Sequence, residues 1–301
     1  MARRGAPDDR SIPELLEFGV VNLDKPPGPS AHQVAAWVRD LVTDALTDEG
    51  IDGVAHAGTL DPKVTGCLPL LLGDATRAAQ VFDDAVKEYV AVLELHGRAP
   101  ADLESVLAEF EGPIYQKPPR KSAVKRQLRV REIHDLEVAE VEDRRALLRV
   151  RCESGTYVRK LCHDAGLALG TGAHMGHLRR TATGRFDDTD LVTLEALTDA
   201  LAWWTEDGDE EPIREIVQPA ERALEPLPSL TIAPSAADQV AEGAPVYAPG
   251  VIDSDLGAEA ASDRPLVVCS TPDGAAICLG RLVGDPDGES GTVVELERVL
   301  V

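Results

Sequence analysis

Residues 56–63 read His-Ala-Gly-Thr-Leu-Asp-Pro-Lys, inside the longer stretch GIDGVAHAGTLDPKVTG at 50–66. Gly58 admits backbone conformations closed to other residues and lets neighbouring groups approach closely. Pro62 restricts Asp61 toward an extended conformation. A short carboxylate held in this way presents an oxygen reproducibly, suited to attack on an electrophilic carbon or to stabilising positive charge as a glycosidic bond breaks. Read alone, the same residues also make an ordinary Asp-Pro turn, with His56 a loop cap and Lys63 a solvated charge. His32, His56 and Asp61 are candidate metal ligands, but their spacing matches no metal motif.

Outward from this loop the pattern alternates between strands and helices. Residues 19–29, GVVNLDKPPGP, predict a short strand and a stiff proline loop. Ser30 caps a following helix whose apolar face is Val34, Val38, Leu41, Val42 and Ala45. LPLLLG and TRAAQVF, after the loop, lead into another buried element. KEYVAVLELHG at 87–97 has strand character, with Tyr89, Ala91, Leu93 and Leu95 on one face. A helix is expected over 102–110, strands near 124–141 and 145–152, and a helix over 158–169. The mixture favours an α/β or α+β core. Between 205 and 230, TEDGDEEP and a proline-punctuated stretch mark a boundary. The short pieces beyond it, such as PLVVCST and AAICLGRLV, predict a small β-rich, barrel-like unit.

Composition narrows the function classes. No stretch approaches the roughly 20 apolar residues that span a bilayer, and MARRGAPDDR lacks the apolar segment of a secretory signal. A cytoplasmic protein is the expectation. Cys67, Cys152, Cys162, Cys269 and Cys278 form no CxxC pair, which disfavours a disulfide framework or zinc ribbon. With 53 acidic against 30 basic residues the net charge is −23, which on its face opposes a polyanionic partner. The charge is uneven, however. Residues 117–131, KPPRKSAVKRQLRVR, carry Lys117, Arg120, Lys121, Lys125, Arg126, Arg129 and Arg131 with no acidic residue. The acidic runs elsewhere, and the scarcity of lysine, fit a surface adapted to high intracellular salt.

Two further groups bear on chemistry. In Gly155-Thr156-Tyr157-Val158-Arg159-Lys160, Arg159 offers a permanently charged fork, which beside Asp61 would orient that carboxylate and favour its ionised form. Tyr157 is either a packing residue or an RNA contact. Tyr89 is a core aromatic unless its ring faces a pocket beside Asp61, where it would stack on a flipped base.

Taken together, GVVNLDKPPGPSAHQV, HAGTLDPKVTGCLPLLLGDATR, KEYVAVLELHG, QKPPRKSAVKRQLRVRE, CESGTYVRKLCHDAG and GAHMGHLRRTATGRF closely resemble the TruB family of pseudouridine synthases. The resemblance is strongest to the archaeal, dyskerin-like catalytic branch of H/ACA ribonucleoproteins. It covers much of 19–186 and continues through a PUA-type RNA-binding domain at 228–301. The implied fold is α+β: a mixed-sheet catalytic core with a C-terminal β-barrel-like PUA domain. The implied organisation is an N-terminal extension at 1–18 associated with the PUA domain, a catalytic domain at 19–218, a linker at 219–227 and the PUA domain at 228–301.

The resemblance implies that Asp61 is the catalytic aspartate, Tyr89 the tyrosine on the target base and Arg159 the arginine paired with the carboxylate. Leu178 is implied as the apolar residue near the base, and His56 lies in a loop that contacts the flipped nucleotide in bacterial relatives. Lys25 and Pro26, with Gly58 and Pro62, support the loop. Lys117, Arg120, Lys121, Lys125, Arg126, Arg179 and Arg180 are implied as RNA contacts. The family motif often has two hydroxyl residues where this chain has Ser30-Ala31, so one local hydrogen bond of the loop support is in doubt. The implied reaction detaches a uridine base and rejoins it through carbon, by a covalent Asp61 adduct or a glycal-type route. It needs no cofactor and no metal. The implied partners are an H/ACA guide RNA, substrate rRNA, two small accessory proteins and a kink-turn-binding ribosomal-type protein. The alternative is a stand-alone enzyme acting on tRNA uridine 55.

Overall fold

The computed structural model describes residues 4–46, 50–118 and 125–301. Arg120 and Lys121, expected as RNA contacts, lie outside the described residues. A mixed sheet contains β1 (Gly19–Lys25), β2 (Val54–His56), β3 (Thr65–Leu72), β4 (Lys87–Leu95), β5 (Gly112–Gln116), β6 (Arg129–Glu142), β7 (Arg145–Cys152), β8 (Ala173–Thr183), β9 (Phe186–Asp187) and β10 (Gln218–Pro219). The main path runs β10-β1-β3-β8-β4-β7-β6-β5, with β2 on β3 and β9 on β8. Only the β3–β8 pairing in it is parallel.

A second, barrel-like sheet is formed by β11 (Ser229–Ile232), β12 (Val246–Tyr247), β13 (Val251–Ser254), β14 (Leu266–Ser270), β15 (Ala276–Leu282) and β16 (Thr292–Val299). The helices are α1 (Ile12–Glu17), α2 (Ala31–Leu46), α3 (Leu103–Ala108), α4 (Val158–Ala168), α5 (Leu194–Ala202), α6 (Glu211–Ile216) and α7 (Pro234–Ala241). At the start of α2, Ser30 and Gln33 exchange hydrogen bonds between side chain and backbone, satisfying two donors of the helix start.

β3 is buried along its whole length, and its sequence suits that place. Pro69 lies opposite Asn22 of β1, and its carbonyl accepts from Ala57 N. In a strand the N–H and C=O of one residue point to the same side. The missing N–H of Pro69 therefore faces the gap between the β8 pairing at 65–66 and the β2 pairing at 70–72, where no ladder needs it. The stretch 50–66, read from sequence as breaking regular structure, gains one short strand. Val54–His56 pairs with β3 at Leu70, Leu71 and Leu72.

One face of the first sheet packs against α2, α4 and α5 through Val34, Val38, Leu68, Leu70, Leu161 and Leu197. The other face carries a cluster in which Phe18, Val20, Leu71 and Phe186 meet Val268 and Leu279 of the second sheet and Leu300 just after its last strand. Ala220, Ala223 and Leu224 are buried in that same cluster, so the 219–227 stretch is packed rather than tethering. The N-terminal segment is tied in from both sides. Arg4 meets the Leu300 carbonyl and Asp74, and Arg10 makes a bidentate pair with Glu221 at 2.9 and 2.6 Å.

Candidate active site

Asp61 sits on the loop joining β2 to β3. Gly58 adopts φ +88°, which turns the chain after His56. Val64 N donates to the Asp61 carbonyl at 2.9 Å, and Gly28 N donates to Pro62 O at 2.8 Å. Lys25 completes the support. It is fully buried, and its Nζ donates to the carbonyls of Pro26, Pro62 and Val64 at 2.9, 3.1 and 2.8 Å. Burial pushes its pKa down. The three carbonyls supply partners for its three donors. The loop is thus held by backbone and Lys25, leaving the Asp61 side chain available.

The Asp61 carboxylate pairs with the Arg159 guanidinium, and both side chains remain about half exposed, at 52% and 45%. An exposed pair of this kind contributes little to stability; what it does is orient the carboxylate. Arg159 lies in the first turn of α4, reached from β7 through a turn at Gly155. Tyr157 occupies the N-cap position. The buried Gln116 side chain accepts from Tyr157 N at 2.9 Å and donates to Tyr157 O at 3.2 Å, fixing the helix start.

The pair opens on a cleft of about 1070 Å³. Its walls include Leu178, Met175 and Val64 and five cationic side chains: Lys63, Lys117, Arg126, Arg159 and Lys160. Asp61 is the one carboxylate among the described lining residues. Arg126 is fixed by a 3.0 Å hydrogen bond to Pro118 O, and Lys125 is exposed beside it.

Several expected residues stand elsewhere. Arg180, expected as an RNA contact, is corrected: it is 1% exposed. Its Nε donates to Cys67 O at 2.7 Å and its Nη1 to Gly58 O at 3.3 Å, beneath the Asp61 loop. A guanidinium so enclosed does not meet phosphate. Arg179 points to the opposite face, where Asp24 binds it at 2.9 and 3.1 Å. Tyr89 is half-buried, packs against the main core and does not line the cleft. Burial raises its phenol pKa, with Arg180 acting in the other direction. His56 stacks edge-on with His32 at 4.6 Å between ring centroids, and its Nδ1 is buried without a partner. Burial first, and His32 second, hold its pKa low.

Sequence reasoning missed Lys87, the first residue of β4. It is buried and donates to Phe82 O, Ala85 O and Ser154 Oγ at 2.8, 2.7 and 3.1 Å. Burial, then the Arg180 charge, lowers its pKa to about 8. The unfolded chain holds this proton up to about 10.4, so between those values it binds more protons than the folded one. Stability therefore rises with pH across that window. Denaturant unfolding at several pH values should show wild type gaining stability relative to Lys87→Met from roughly pH 8 to pH 10. A constant difference between the two would refute the burial-lowered pKa.

Comparison with known proteins gives a consistent result. Residues 49–158 match the description "TruB family pseudouridylate synthase (N terminal domain)". Residues 159–225 match "tRNA pseudouridylate synthase B C-terminal domain", and 4–35 match "DKCLD (NUC011) domain". A Haloarcula marismortui protein named probable tRNA pseudouridine synthase B is 67% identical, covering 100% of this chain and 94% of its own length. A Pyrococcus abyssi protein of the same name is 44% identical, covering 98% and 87%. Among solved structures, a Cbf5-Nop10-Gar1 complex aligns with TM-score 0.88 at 42% identity, over 99% of this chain and 90% of that one. An H/ACA RNP bound to a substrate RNA containing 2′-deoxyuridine aligns with TM-score 0.87 at 40% identity, over 99% and 90%. With identity of this extent along its whole length, the chain belongs to the TruB family of pseudouridylate synthases, close to archaeal Cbf5 and dyskerin.

Proposed function

We propose that this RNA pseudouridine synthase acts on rRNA uridines selected by an H/ACA guide RNA, with Asp61 as the catalytic carboxylate. The observation that carries this reading is the Asp61–Arg159 pair in a cleft lined by five cations, on a protein whose net charge is −23. Phosphates gather at the cationic lining while the remaining surface repels them. An everted uridine entering the cleft meets the carboxylate at its sugar, with Leu178 against the base. Asp61 then assists departure of the base, by adding to C1′ or by taking the C2′ proton on a glycal route. Arg159 holds the carboxylate aimed at the sugar.

In this reading residues 19–218 form the catalytic domain, and the second sheet, 228–301, is the PUA module that anchors the guide. The whole-length similarity to the chain in the Cbf5-Nop10-Gar1 complex supports two small accessory proteins of the Nop10 and Gar1 kinds as partners. A kink-turn-binding protein on the guide completes the proposed particle. The particle works in the cytoplasm, and the acidic surface suits a salt-rich one.

A second reading, a stand-alone enzyme for tRNA uridine 55, is favoured by the names of the Haloarcula and Pyrococcus relatives. Reconstitution separates the two. Purified protein, accessory proteins and a matched guide and substrate are assayed by site-resolved detection of pseudouridine, with the guide omitted in parallel. Guide-dependent product is the expected outcome. Product confined to a tRNA T-arm, indifferent to the guide, would establish the second reading instead.

A further inference from the structure

Beneath the catalytic loop lie two buried cations that the reaction as described leaves unused. Arg180 and Lys87 are 1% and 4% exposed. Their hydrogen bonds go to carbonyls and hydroxyls, and neither has a carboxylate partner among the described residues. The Arg180 guanidinium also interacts with the Tyr89 phenol across the β4–β8 pair. Uncompensated buried charge is costly, and replacement by apolar residues would relieve that cost. A fold that keeps such charge beside its reactive loop has a use for the field it creates.

The geometry indicates where that field acts. Arg180 follows Leu178 by one strand period, so both project from the same face of β8, and Leu178 lines the cleft. Arg180 lies directly across from Tyr89 in the β4–β8 register, and its Nη1 reaches the Gly58 carbonyl three residues before Asp61. Cleavage of the bond between C1′ and N1 leaves the electron pair on the base, which departs as a uracil anion. Asp61 either bonds to C1′ or accepts the C2′ proton. When C5 later bonds to C1′, the Asp61–C1′ bond breaks or Asp61 returns the proton to C2′; the C5 proton then leaves and N1 gains one, so no outside reactant is needed. Negative charge thus develops on the base, which in the proposed reading lies against Leu178.

We propose that Arg180 is a positioning residue whose buried charge, on the same face of β8 as Leu178, stabilises the anionic uracil as it detaches. The proposal rests on the isomerase reading and deepens it.

The test compares single-turnover rates on two substrate RNAs, one carrying uridine and one carrying 5-fluorouridine at the target position. Reaction is read as disappearance of the parent nucleoside by chromatography after digestion. Fluorine makes the base a better anion, so it needs less help in leaving. Arg180→Gln is expected to slow the uridine reaction on the order of 10²-fold or more at saturating protein, with RNA affinity unchanged. The loss on 5-fluorouridine is expected to be about tenfold smaller. Arg180→Lys keeps the buried charge but shortens the reach to Gly58, and should recover most of the rate on both substrates. Equal losses on the two bases, or Arg180→Lys as slow as Arg180→Gln, would mean that Arg180 only braces the loop. Should Arg180→Gln fail to fold, a large loss in Arg180→Lys still overturns the proposal and a small one supports it. Wild type run alongside separates this failure from failure of the isomerase reading, since the latter would leave wild type without product.

Discussion

Asp61→Asn is expected to abolish pseudouridine formation while leaving RNA association intact. The substitution preserves size, and the loop does not depend on the carboxylate for its shape. Its anchors are Lys25 on three carbonyls, Gly28 N on Pro62 O and Val64 N on the Asp61 carbonyl. The amide can still accept a hydrogen bond from Arg159. What disappears is the anion, and with it both nucleophilic addition at C1′ and proton removal at C2′. Loss of one member of a concerted catalytic set lowers turnover by roughly 10⁴-fold or more. Site-resolved product quantification at saturating protein measures the loss, and a gel-shift titration measures binding. Turnover within tenfold of wild type would remove Asp61 from its assigned role.

Lys25→Met should be nearly as damaging, by a different route. The side-chain volume is similar, but the Pro26 and Val64 carbonyls lose their buried donor, while Pro62 O keeps Gly28 N. Each unsatisfied group costs about 1–3 kcal/mol, so the protein should lose at least about 2 kcal/mol and melt roughly 4–8 °C lower. The loosened stretch is the one that carries Asp61, so the rate at saturating RNA should also fall, on the order of 10²-fold. Calorimetry and single-turnover kinetics on the same preparation test both halves. An unchanged melting temperature with full activity would show that the backbone alone fixes the loop.

Local signals were readable along the chain where the physics is local. Gly58 and Pro62 announced a shaped loop, Ser30 a helix start, and KEYVAVLEL a strand with alternating faces. The contact between Asp61 and Arg159 was not readable, because it depends on the β3–β8 pairing and the docking of α4 on β8. The reading of Arg180 failed for a general reason, that arginine is mostly a surface residue. The chain did hold the corrective signal. Two consecutive residues on a strand must face opposite sides, so in the LRRT stretch only one arginine could share the exposed face. Lys87 was overlooked on the same ground. Gly66 shows how tightly this corner is built: it has φ +96°, and a Cβ there would stand 2.2 Å from the Arg180 carbonyl oxygen.

The cationic lining of the cleft has a consequence for how far away the molecule is felt. In dilute salt, near 0.01 M, fields reach about 30 Å, and an approaching RNA senses the sum of all charges, −23, as a repulsive envelope. Near 1 M the reach shrinks to about 3 Å, the envelope vanishes, and only groups in contact remain, which in the cleft include Lys117 and Arg126. Added electrolyte, which ordinarily loosens a protein from a nucleic acid, here also strips away the barrier to encounter.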